Sequence, residues 1–122
     1  MTNQIQSSNS QKKYDLEERT AKFGEAIINF VMGLPSNPVN KPLISQLVRA
    51  ATSVGANYME ADGAESKKDF KHKIAICRKE AKESTHWLRM MCVANPLKKD
   101  DCQKFWQEAH EFALIFSSIL KK

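Results

Sequence analysis

The chain has 122 residues, 42% of them apolar, and a net charge of +5. That is one domain's length, with enough bulk to bury a core without disulfides or metals. Its three cysteines, Cys77, Cys92 and Cys102, are odd in number and lack CxxC spacing, which argues against a disulfide framework or a paired-ligand zinc site and predicts reduced, partly buried thiols.

Residues 1–13, MTNQIQSSNSQKK, are polar and rich in Ser, Gln and Asn. This composition predicts a disordered tail and lacks the apolar core of a signal peptide. No apolar run approaches the ~20 residues needed to cross a bilayer. A cytoplasmic protein without membrane contact is expected. The prolines, Pro35, Pro38, Pro42 and Pro96, fall at two places only, which leaves long stretches suited to helices rather than to many short strands.

Four segments within 14–122 carry apolar or small residues at alternating spacings of three and four, the pattern of a helix with one buried seam. The first, about 15–33, runs through Leu16, Thr20, Phe23, Ile27, Phe30 and Leu34. Asp15 suits its N-cap, and Gly33 with Pro35 ends it. The second, about 41–62, runs through Ile44, Leu47, Ala51, Val54, Tyr58 and Ala61. Asn40 suits its N-cap, with Pro42 in the first turn. The third, about 66–94, runs through Phe70, Ile74, Cys77, Ala81, Ser84, Leu88 and Met91. Ser66 with Asp69 forms a short capping box, and Asn95-Pro96 stops the helix. The fourth, about 100–121, runs through Cys102, Phe105, Ala109, Phe112, Phe116 and Ile119, opened by Asp100 or Asp101. Short connections make sequential helices antiparallel neighbours, so the expected fold is an all-α, antiparallel up-and-down four-helix bundle.

Two helices carry polar residues that a plain bundle does not require. In the second, Arg49, Ser53, Asn57 and Glu60 cover about 80° of one face. They read either as a solvated flank or as a hydrogen-bonded network between helices or subunits. Gly55, amid these residues and several alanines, favours the network, because a mid-helix glycine costs about 1 kcal/mol against alanine and implies a close neighbour. In the third helix Lys73, Glu80, Ser84 and Trp87 form a similar line, with Glu83 beside it. Buried pairs of this kind fix register, and the Trp-bearing flank points to self-association.

The charge is concentrated. Residues 66–95 hold eight basic and three acidic side chains, an excess equal to that of the whole chain. Five cations, Lys67, Lys71, Arg78, Lys82 and Arg89, fall within about 60° of one helical face. This stripe reads either as an ordinary solvated face or as a contact surface for the phosphate backbone of RNA or DNA. Lys98 and Lys99 extend it. No aromatics interleave it, so neither base stacking nor sequence-specific readout is indicated.

Catalytic patterns are missing. A di-metal bundle needs two ExxH pairs, and only Glu83 to His86 matches. His72, His86 and His110 do not cluster, and there is no HExxH, phosphate-binding loop or nucleophile elbow. No nucleophile, base, cofactor or small-molecule substrate is indicated, and the expectation is a protein that is not an enzyme.

The stretch RAATSVGANYMEADGAESKKDFKHKIAICRKEAKESTHWLRMM resembles the core of the four-helix-bundle family of 23S ribosomal RNA intervening-sequence proteins. The residues that carry the likeness are Arg49, Ser53, Asn57 and Glu60, then Ser66, Asp69 and Phe70, and then Glu80, Ala81, Glu83, Trp87 and Leu88. One departure is Asp62-Gly63, where many relatives carry Glu-Gly or a Gln-rich turn. The resemblance implies a bundle that self-associates, typically into a closed ring and often a pentamer, without established enzymatic activity. A related branch comprises accessory proteins of diversity-generating retroelements, which bind a reverse transcriptase and nucleic acid. The resulting expectation is a self-associating bundle contacting nucleic-acid backbone. The alternatives are a structural or protein-interaction scaffold and a retroelement accessory protein.

Overall fold

The computed structural model describes residues 8–122, with side chains from Leu16 onward. The expected tail falls partly outside this range. Four helices follow in chain order: α1 (Ser8–Met32), α2 (Asn40–Asp62), α3 (Lys67–Ala94) and α4 (Lys99–Leu120), with a 3-10 turn at Pro96–Lys98 before the last. They form an all-α four-helix bundle. No strand occurs among the described residues, and no helix among them is long and apolar enough to cross a membrane.

The helix ends match the expected caps at some points and differ at others. Ser66 caps α3 as expected, its Oγ accepting from the Asp69 N–H at 3.0 Å. Asp15 is not a cap, because α1 begins at Ser8 and runs through it. No Gly or Pro precedes Gly24, so nothing breaks the helix on that side. Asn40 is not the cap of α2 either. Asn37 performs that role, its Oδ1 accepting from the N–H groups of Val39 and Asn40 at 3.0 and 2.8 Å. Asp100 and Asp101 sit inside the first turn of α4 rather than ahead of it, where their charge still favours the helix dipole.

The predicted seams form the core. Phe23, Ile27, Leu47, Val54, Ile74, Leu88, Met91, Phe112 and Phe116 are all buried in one cluster. Successive helices pack closely, whereas α1 and α4 are bridged by larger side chains. Phe23 meets Phe112 edge-on with centroids 5.5 Å apart, and Phe30 meets Phe105 at 5.3 Å. Arg19 closes the same junction. Its guanidinium donates to Glu108 and Glu111 at 2.7–2.8 Å and lies 5.0 Å from the Phe112 ring centroid.

Gly55 has the close neighbour that its position implied. A Cβ there would lie 3.3 Å from Thr20 Oγ1 and 3.4 Å from the Thr20 carbonyl. The α1 backbone therefore crosses α2 at this point. At the pole bearing the α1–α2 loop, Asn40 and Asn95 are buried and donate to each other reciprocally at 3.0 and 2.9 Å. They pin that loop to the α3–α4 connection.

Candidate nucleic-acid interface

The five cations of the stripe lie where the helical spacing puts them, on one flank of α3. Lys67, Lys82 and Arg89 are exposed, and Lys71 and Arg78 are half-buried. From Lys67 to Arg89 the row extends about 33 Å at 1.5 Å per residue. None of the five enters a salt bridge among the described residues. Two of the three acidic residues of α3, Glu80 and Glu83, are engaged by Arg49 on the opposite flank. Lys98 and Lys99 are exposed in and after the 3-10 turn, at the Arg89 end.

The polar residues of α2 and the opposite flank of α3 do something different. The Arg49 guanidinium bridges Glu80, at 3.2 Å, and Glu83. Glu83 also accepts from Trp87 Nε1 at 3.0 Å. Lys73 Nζ lies 2.6 Å from Glu60, a pairing that raises the Lys73 pKa. These residues therefore satisfy one another within the chain and clamp α2 to α3. Ser53 and Asn57 are not drawn across: Ser53 Oγ donates to the Arg49 carbonyl at 2.6 Å and Asn57 Nδ2 to the Ser53 carbonyl at 2.9 Å, both within their own helix.

One part of the charged face differs from the sequence expectation. The stripe has no aromatic residue on α3, but α4 supplies one across the groove. A cavity of about 550 Å³ opens between the two helices and is lined by Leu88, Arg89, Cys92, Cys102, Gln103, Trp106 and Gln107. Trp106 is 38% exposed and stacks on His110, with centroids 4.8 Å apart and planes 15° from parallel. Sequence reasoning passed over Trp106 because the link is between helices. The available signal was an indole just outside the Cys102–Phe105–Ala109 seam.

The remaining chemistry is quiet. Burial pushes the Cys77 thiol up to about 12 and the Cys102 thiol up to about 11, so neither is a thiolate nucleophile near neutrality. Cys77 Sγ makes a 3.6 Å contact with the Val54 carbonyl. Among the described residues no three of His, Cys, Asp and Glu gather as metal ligands.

The family model for the 23S rRNA-intervening sequence protein matches residues 12–118. A solved structure from Bacteroides thetaiotaomicron, described as a protein of unknown function from the S23 ribosomal protein family, superposes with a TM-score of 0.82 at 27% identity. The alignment covers 91% of this chain and 99% of that one. No curated protein sequence matches. The match over nearly the whole bundle, together with the shared fold, shows that this chain belongs to the 23S rRNA-intervening sequence protein family.

Proposed function

We propose that the protein is a non-enzymatic, cytoplasmic, self-associating bundle that contacts the phosphate backbone of nucleic acid through the basic flank of α3. The observation that carries this reading is the row of five cations without salt-bridge partners among the described residues, Lys67, Lys71, Arg78, Lys82 and Arg89. An ordinary solvated face mixes signs, because opposite charges spaced three or four residues apart relieve repulsion. Here two of the three carboxylates of α3, Glu80 and Glu83, turn to Arg49, and the third, Asp69, makes no salt bridge to the row among the described residues. A phosphate backbone would supply the missing counter-charge.

Self-association is supported on another face. Ile28 and Met59 are 39% and 63% exposed and border a shallow groove between α1 and α2. A second copy would bury them. The Arg49–Glu80–Glu83–Trp87 cluster is already satisfied within the chain, so we assign it to the α2–α3 contact.

The test is salt-dependent binding to RNA and to duplex DNA. With five phosphates neutralised, log affinity should fall against log salt with a slope of about −3.5 for single strands and −4.5 for duplex. The Lys71→Glu, Arg78→Glu, Lys82→Glu triple variant should abolish binding. Unchanged affinity in that variant would mean that the lysines only keep the chain in solution, as in a protein-interaction scaffold.

A further inference from the structure

We infer that the groove between α3 and α4 seats an unpaired nucleobase on the face of Trp106, which makes single-stranded rather than duplex nucleic acid the preferred ligand. This rests on the proposed backbone contact and specifies its strand state. Arg89 both ends the cation row and lines the groove that contains Trp106. A strand following the row toward the α3 C-terminus therefore arrives at an aromatic face.

That face is prepared for stacking. His110 lies nearly parallel beneath the indole, which holds the ring in one orientation before any ligand arrives. Trp106 retains 38% exposure and lines an otherwise aliphatic and polar cleft. The cleft, at about 550 Å³, is of a size that holds small molecules, about 300–1,000 Å³. Gln103 and Gln107 line it too, and their amides can both donate to and accept from a base edge. Arg89 is placed for the phosphate of the same nucleotide. Stacking platforms beside cationic tracks are the general means of holding single strands, because every base has a π face whatever its sequence. Inside a duplex both faces of each base are covered by neighbours and the pairing edge is occupied, so only the two end pairs offer Trp106 a face.

The experiment compares a short oligouridylate with a blunt RNA duplex of equal length, in the full chain and in Trp106→Ala and Trp106→Phe. The expected result is tighter binding of oligouridylate than of duplex. Trp106→Ala should weaken oligouridylate binding about 5- to 140-fold and leave duplex binding unchanged. Trp106→Phe, which keeps a ring, should restore most of the affinity, and thermal melting of each variant separates this from misfolding. Fluorotryptophan labelling gives a second readout: the Trp106 resonance should shift on adding oligouridylate, while that of Trp87 stays. Equal losses for both ligands, or no loss for either, would overturn the base-stacking inference and leave the backbone contact standing. Absence of binding to either nucleic acid at low salt would overturn both.

Discussion

Asn40 and Asn95 form a reciprocal pair of buried amides. Each amide is the other's partner, and the remaining bonds go to the Pro35 and Met91 carbonyls. Truncating one leaves the other with an unmet donor and acceptor, at a cost of about 1–3 kcal/mol. Asn40→Ala and Asn95→Ala should each destabilise by that amount in urea unfolding, while the double variant should cost clearly less than their sum. Strict additivity would show that the pair does not act as a unit. The sequence signals both asparagines but assigns Asn40 the wrong job, because an asparagine before a helix is equally good as a cap and as a buried clamp. Only the position of the other chain segment, 55 residues away, decides between them.

The ionisable groups set limits on the pH range at the same scale. Arg19, as hydrogen-bond donor, holds Glu111 below the usual carboxylate value of 4.5. A depressed folded pKa gives stability that is present above 4.5 and lost as pH falls through the folded value. Cys77 and Cys102 lie on the other side. Burial raises them above an ordinary 9.0, to about 12 and about 11. Their contribution is complete below pH 9 and is lost as the unfolded chain ionises first. Tyr58, also raised by burial, acts in the same direction. Melting temperature should therefore be nearly flat from roughly pH 5 to 9 and fall on either side. Glu111→Gln should soften the acid limb, and Cys77→Val the alkaline one. A slope in either limb that its substitution leaves unchanged would refute that assignment. In the native state Cys92, half-buried, should react first with a thiol reagent.

At the scale of the helix, Gly24 and Gly55 provide a matched comparison. Both lie in helices, where glycine costs about 1 kcal/mol against alanine. A Cβ at Gly24 would meet Thr52 at 3.6 Å, an ordinary contact, whereas one at Gly55 would press on Thr20 backbone at 3.4 Å. Gly24→Ala should therefore stabilise by about 0.5–1 kcal/mol, and Gly55→Ala should gain less than that or lose. Gly55→Leu should force α1 away from α2 and destabilise by about 1–3 kcal/mol or more, as core overpacking does. Equal gains from both alanine variants in chemical denaturation would contradict the close crossing. This crossing was legible, as were the four seams, because burial against one neighbour imposes a three-four spacing directly on the chain. The start of α1 was not, since Ser, Gln and Asn fit a frayed tail and an exposed helix alike. The pairing of Arg89 with Trp106 was not legible either, because it depends on the relative register of α3 and α4, which no single segment encodes.

For the whole molecule, the two surfaces proposed for assembly and for nucleic acid lie on different helix pairs. Ile28 and Met59 border the α1–α2 groove, while Arg89 and Trp106 line the α3–α4 groove. A ring built through the first would repeat the second once per subunit and turn a row of five cations into a belt. Linked sites of this kind raise apparent affinity by about 10²–10⁴ without any new contact. The two properties should then separate by substitution. Met59→Lys should reduce the mass seen by light scattering from several times 13.9 kDa to that of one chain and weaken binding to a long strand, while leaving intact the binding of a strand short enough for one subunit. The Lys71→Glu, Arg78→Glu, Lys82→Glu variant should keep the assembled mass and lose both. A wild-type chain that scatters as a monomer at micromolar concentration would end the assembly reading, and the affinity for long and short strands should then be the same per site. A Met59→Lys protein that stays assembled would instead move the subunit contact to another face, with the half-exposed rank around Arg49 and Glu60 the next surface to vary.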